Sequence, residues 1–190
     1  MNSWINVMGT QINVKNTMQV ELTGLDDVLK TIHPRAYQKA LNRTVNDIGS
    51  RVKTQTTKQV RKTYNIKATE IKNHITVRRS RFSNMQYVMD VRSKRRNAIH
   101  FGSKILKKKG YAAVRIKKEN GRSKLRNTFL SKDKKALLHR VGKTQKIKAV
   151  QTVSVSQMFN KKILKEADEM VQNEFGNKLK NNFDFYIGKV

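Results

Sequence analysis

Apolar residues along this chain recur with two different periods, and the change of period divides it into segments. From Ile12 to Leu22 the apolar positions Ile12, Val14, Met18, Val20 and Leu22 mostly alternate with polar ones, which predicts a strand or two short ones. Gly24-Leu25-Asp26-Asp27 then opens a short helix carrying Leu25, Val28, Leu29 and Ile32. Pro34, the chain's only proline, suits the first turn of the next helix, where its missing N–H costs nothing. That helix is predicted over about 34–63, with Tyr37, Leu41, Val45, Ile48, Val52 and Val60 on one stripe and Arg35, Lys39, Arg43 and Arg61 off it. Asn65 reads as its stop, and a short helix over about 67–73 turns Ile71 inward.

In the middle of the chain the period falls to two. Ile75 and Val77 predict one strand, and Met85, Tyr87, Met89 and Val91 another. Residues 98–101 fit neither period. Val114 and Ile116 lead into an Asn120-Gly121 pair, a strong hairpin signal, with Leu125 and Phe129 on the return strand. A second hairpin turns at Asp133-Lys134, with Ala136, Leu138 and Val141 beyond it, and Ile147, Val150 and Val153 form a last strand. A long amphipathic helix over about 156–187 carries Met158, Phe159, Ile163, Ala167, Met170, Val171, Phe175, Leu179 and Phe183. The expected fold is therefore α+β: two long amphipathic helices packed on one face of an antiparallel, strongly basic β-sheet with hairpins. Residues 1–11 read as a patternless lead-in and 12–190 as a single domain, with the sheet over about 73–153. Leu41, Val45, Ile48, Val52, Phe159, Ile163 and Phe175 are the expected core or subunit-packing residues.

Charge changes this picture. The 190 residues hold 42 Lys+Arg and 13 Asp+Glu, a formal balance of +29. Between Ile48 and Val150 there are 31 basic residues and four acids (Glu70, Asp90, Glu119, Asp133), a local balance of +27. Solubility needs a net charge of only about 2–8 on a small domain, so a polyanionic partner or acidic neighbouring subunits are expected. The clusters Arg78, Arg79 and Arg81, then Arg92, Lys94, Arg95 and Arg96, then Lys104, Lys107, Lys108 and Lys109 are the candidate contacts for DNA or an acidic partner. Such clusters grip phosphates without reading sequence.

Several classes drop out. There is no cysteine, which removes disulfides, thiolate chemistry and Cys-ligated metals. The apolar runs are far shorter than the roughly 20 residues of a membrane span, and the first residues carry no signal-peptide h-region. His33, His74, His100 and His139 are scattered, and no phosphate-binding glycine loop is present, so neither an enzyme nor a cofactor or metal is expected. Residues 62–75 have the flavour of a helix-turn-helix motif, but a turn that redirects the chain onto the sheet explains the same letters.

Two stretches resemble one family. The first spans 35–79, with Ala40-Leu41-Asn42-Arg43-Thr44 and Tyr64-Asn65-Ile66-Lys67-Ala68, and resembles the front half of the phage minor tail protein Z family, with its "ALNRTA" helix and "YNIKA" segment. The second runs from Phe129 through Leu138-His139-Arg140-Val141-Gly142 to Val155-Ser156-Gln157-Met158-Phe159. It is similar to the family's strand, its "RxG" turn and its "PSVPQMF" helix start, with Ser154 and Ser156 in place of the proline-containing version. The segment 82–124 departs from the family. The 24–29 segment also looks like the start of other tail-completion and neck proteins.

The resemblance implies a structural virion protein of a tailed bacteriophage, a minor tail or neck (head–tail connector) subunit made in the host cytoplasm. It further implies a homo-oligomeric ring, most simply hexameric, at the top of the tail, with tail terminator or tube proteins, head-connector proteins and the passing double-stranded DNA as partners, and no membrane. Six copies would carry 6 × 29, or +174, against on the order of 24 phosphate charges in a ring about 40 Å tall. Much of the excess is then expected to face neighbours or solvent. The alternative is a sequence-nonspecific DNA-binding protein that contacts the phosphate backbone through its basic middle.

Overall fold

A computed structural model describes residues 31, 33–106, 110–142 and 145–188. The expected lead-in, the strands over 12–22, the helix carrying Leu25, Val28, Leu29 and Ile32, and Lys107, Lys108 and Lys109 lie outside these residues. The described chain runs as α1 (Pro34–Thr63), α2 (Ala68–Lys72), β1 (Ile75–Arg78), β2 (Val88–Val91), β3 (Arg95–Asn97), a 3-10 turn (Ala98–Phe101), β4 (Lys104–Ile105), β5 (Tyr111–Val114), β6 (Ser123–Arg126), β7 (Thr128–Leu130), β8 (Leu137–Arg140), β9 (Ile147–Ala149), β10 (Gln151–Ser154), α3 (Val155–Met158) and α4 (Lys161–Ile187). The fold is α+β, as expected. Where one domain was expected over 12–190, the chain divides into two compact units. Among the described residues, a helical unit holds 31–56, 75–90 and 160–188, and a basic unit holds 57–74 and 91–159. No described helix is long and apolar enough to cross a membrane.

The helical unit is built on helix-to-helix packing. Ala36, Tyr37, Ala40, Ile48 and Val52 of α1 meet Ala167, Val171, Phe175, Leu179 and Phe183 of α4 in one buried cluster. The α4 set recurs every four residues, and on α1 Tyr37, Leu41, Val45, Ile48 and Val52 recur every three or four, so each helix offers one continuous apolar stripe to the other. Leu41, Val45, Met89, Met170 and Tyr186 are partly buried against this cluster. Within the same unit the buried Asn182 donates to Thr44 Oγ1 at 2.8 Å, so each polar side chain has a partner out of water. Gly49 sits mid-helix, where glycine costs about 1 kcal/mol relative to alanine. The reason is steric: a Cβ at Gly49 would overlap the ring of Tyr87. Burial of that phenol also pushes its pKa above the ordinary 10.0.

Among the described residues the expected single sheet is four small ones: β1–β2, β3–β10, β4–β5–β6 and β7–β8–β9. Part of the cause lies in the connections. Gly110, Lys134 and Gly142 have positive φ and sit in the turns between β4 and β5, β7 and β8, and β8 and β9, while Asn127, also at positive φ, breaks β6 from β7. Asn127 separates β6 from β7, so Phe129 pairs with Leu138 in a different sheet from Leu125. Met85 and Tyr87 fall outside β2, and in β8 it is Leu137 that is fully buried while Leu138 is half-buried. Residues 98–101, which fitted neither period, form the 3-10 turn, capped by the Asn97 side chain.

The C-terminal helix is also broken, into α3 and α4. Ser154 and Gln157 form a reciprocal capping box at the start of α3, and Asn160 accepts from the Ile163 N–H to cap α4 anew. Phe159 (4 % exposed) lies between the two caps, and Ile163 is equally buried.

Gly49→Ala is expected to lower thermal stability by about 1–3 kcal/mol through overpacking, against its helix propensity. In a Tyr87→Ala background the same substitution is expected to stabilise by up to about 1 kcal/mol. Thermal unfolding of the four members of the cycle measures the sign change.

Candidate nucleic-acid interface

The positive charge belongs to one unit. Among the described residues the basic unit has 22 Lys/Arg against three acids, a balance of +19, while the helical unit has 13 against seven, a balance of +6. The three acids of the basic unit are already engaged. Glu70 pairs with Arg96 and lies 3.4 Å from His100 Nδ1; Glu119 pairs with Lys117 at 3.4 Å. The Asp133 carboxylate accepts from the Ser131 hydroxyl and the Lys135 N–H, which hold its pKa below the usual carboxylate value.

Strand register gathers part of this charge on one sheet face. In β4–β5–β6, Lys104 lies opposite Ala113, which lies opposite Lys124, and Tyr111 lies opposite Arg126. Residues directly opposite share a face, as do positions i and i+2. Lys104, Tyr111, Ala113, Lys124 and Arg126 therefore share one face, and Ile105, Ala112, Val114 and Leu125 the other. Lys104, Lys124 and Arg126 are exposed, and neighbouring strands are about 4.8 Å apart, so Lys104 and Lys124 stand roughly 10 Å from each other with a methyl group between. Other cations of this sheet are structural. Arg115 binds the carbonyls of Asn120 and Lys118 and so closes its own hairpin loop; Arg122 donates to the Gly102 carbonyl at 2.8 Å. The opposite, apolar face contributes Val114, Ile116 and Leu125 to a groove of about 410 Å³, shared with Val150, Val153 and Arg95.

The expected contact residues are divided between the two units. Arg92, Lys94, Arg95, Arg96 and Lys104 belong to the basic unit, and Arg78, Arg79 and Arg81 to the helical unit. Two of the eight described are in ion pairs: Arg96, only 22 % exposed, is held by Glu70, and Arg78 reaches the buried Asp90 carboxylate at 3.5 Å. Lys94, Arg95, Lys104, Arg79 and Arg81 are exposed. Lys124 and Arg126 were missed, although the triplet Lys124-Leu125-Arg126 carries the strand period that places both opposite Leu125.

The segment with helix-turn-helix flavour is fastened inside the basic unit. Ile71 is fully buried, Glu70 is ion-paired, Tyr64 bridges to Lys117, and Asn65 donates to the Phe101 carbonyl at 3.2 Å. With α2 only five residues long, this segment redirects the chain and offers no recognition helix. Motif letters elsewhere do similar work. Ala40 and Thr44 are buried, and Asn42 receives the Ser80 hydroxyl at 2.7 Å. Comparison with protein families, with curated proteins and with solved structures finds no match in any of the three.

Around Glu70 and Arg96 stand two histidines. Burial, then the Arg96 charge, lowers the pKa of both His74 and His100 below the ordinary 6.5, with Glu70 pulling the other way. No cluster of three or more metal-ligating side chains occurs among the described residues. Because the folded pKa values are depressed, the stabilisation is complete above about pH 6.5 and is lost as pH falls through the folded values. Unfolding followed from pH 8 to pH 5 is expected to show this acid loss, and His74→Gln combined with His100→Gln is expected to flatten it.

Proposed function

We propose that this chain is a structural subunit of a tailed-phage particle, of the minor tail or neck class, whose basic unit contacts the backbone of double-stranded DNA. The observation that carries the DNA contact is the confinement of charge: +19 on one compact unit whose acids are all engaged, against +6 on the other. The virion role rests on the motif resemblance over 35–79 and 129–159. A subunit built this way uses its helical unit as a scaffold and its basic unit as a surface for polyanion, in a homo-oligomeric ring around the DNA path. Lys104, Lys124 and Arg126 are the assigned phosphate contacts, joined by Lys94 and Arg95. The exposed arrangement of these lysines and arginines equally favours a second reading, a sequence-nonspecific DNA-binding protein that works without a particle.

Each phosphate neutralised on duplex DNA adds about 0.9 to the slope of log affinity against log salt. The triple substitution Lys104→Gln, Lys124→Gln, Arg126→Gln is expected to lower that slope by about 2.7 while leaving the circular dichroism unchanged. An unchanged slope would remove these residues from the interface. Mass in solution with and without duplex separates the two readings. A closed ring, or a monomer that joins only isolated tails, is the particle result; a monomer or dimer that coats DNA and ignores tails is the other.

A further inference from the structure

The connection between β1 and β2 carries a feature that the basic unit does not account for. Arg81 and Asn84 exchange backbone hydrogen bonds of 3.0 and 2.9 Å, so Phe82 and Ser83 form a tight two-residue tip. Phe82 is 62 % exposed, more than any other large hydrophobic residue among those described. Its neighbours Arg79 and Arg81 are exposed as well. The base of the tip is clamped. Buried Ser80 donates its hydroxyl to Asn42 Oδ1 at 2.7 Å and its N–H to Asn46 Oδ1 at 3.0 Å, while Asn46 Nδ2 donates back to the Ser80 carbonyl at 3.1 Å. Asn42 and Asn46 are one helical turn apart on α1, and Asn46 Nδ2 also binds the Asn42 carbonyl at 3.0 Å. An apolar ring is thus held out in water on a turn anchored to α1 by three hydrogen bonds, with the guanidinium groups of Arg79 and Arg81 just before it in sequence.

We infer that this tip is a nucleic-acid wedge: Phe82 stacks on a nucleobase while Arg79 and Arg81 take the adjacent phosphates. Charge decides the partner. Three arginines lie within four positions, and the nearby acid, Asp90, is committed to Arg78. Guanidinium groups match phosphate geometry, and a lone aromatic directly following them matches the π-face that every base presents. Apolar side chains inserted at a base step work this way in duplex DNA, and aromatic platforms do so in single strands. The site lies in the helical unit and acts in addition to the backbone contacts proposed for the basic unit.

The probe is an oligonucleotide carrying 2-aminopurine, as duplex and as single strand, titrated with the full chain. Binding is expected to quench the fluorescence; the form quenched, duplex or single strand, shows whether the ring enters a base step or stacks on an unpaired base. Phe82→Ala is expected to abolish the quench and weaken binding about five- to 100-fold, with the salt slope unchanged. Phe82→Trp is expected to keep the quench, and Arg79→Gln with Arg81→Gln to lower the slope by about 1.8. Salt-dependent binding without any quench, or a quench that survives Phe82→Ala, overturns the wedge and leaves the basic unit's role standing. Loss of oligomer mass in Phe82→Ala with the quench intact also overturns it, and marks the ring as a protein contact. A chain with no salt-dependent binding overturns both assignments.

Discussion

Like charges crowded on one compact unit repel, and the basic unit, with its balance of +19, carries that constraint throughout. Two unit charges 10 Å apart in water cost each other about 0.4 kcal/mol, and the Debye length at physiological salt is about 8 Å. Each pair is cheap, yet 22 cations with three acids make many such pairs. The strands that bear many of them are two to four residues long, and buried residues such as Ala112, Ala113, Val114 and Leu137 supply the apolar contact set against the repulsion. A polyanion that replaces small counterions relieves the strain and gains affinity from their release.

The acids that remain are placed where they tie elements together. Glu70 joins α2 to β3 and the 3-10 turn through Arg96 and His100, and Arg96 in turn offers its carbonyl to the Thr152 hydroxyl on β10. A half-buried pair of this kind contributes little net energy and much register, because removing one partner strands the other. Acid weakens this junction from within, since protonated His74 and His100 would add positive charge beside Arg96. The helical unit solves an easier problem. Its charge is nearly balanced, and pairs such as Arg51 with Glu174 at 2.9 Å flank an ordinary apolar seam between two helices.

The legible and illegible parts of the chain follow from the range of the forces involved. Helix α1 was readable to its ends because its apolar stripe runs through six positions from Tyr37 to Val60 and Pro34 marks its start. The break at Asn160 was hidden because apolar positions continue through it, and the cap that makes it is a single side-chain bond to Ile163. The division of the described strands into four sheets turned in part on Asn127, a non-glycine residue in the left-handed region, whereas the turn at Lys134 was legible. Among the expected contact residues, exposed cations such as Arg79, Arg95 and Lys104 were visible as clusters, whereas the ion pairs of half-buried Arg96 and of exposed Arg78 depended on acids 26 and 12 positions away in sequence. Lys124 and Arg126 were within reach of the strand period, and were passed over in favour of denser runs.

We assign the broad polyanion surface to the basic unit and the scaffold to the packed helices α1 and α4, with the Phe82 tip as a separate contact. Hydrogen exchange of the full chain, with and without duplex DNA at a salt concentration where binding is measurable, tests that assignment most directly. The account predicts slowed exchange in β4, β5 and β6 of the basic unit and no change along α4. Protection running along α4 while the β4–β5–β6 sheet is unaffected would contradict it.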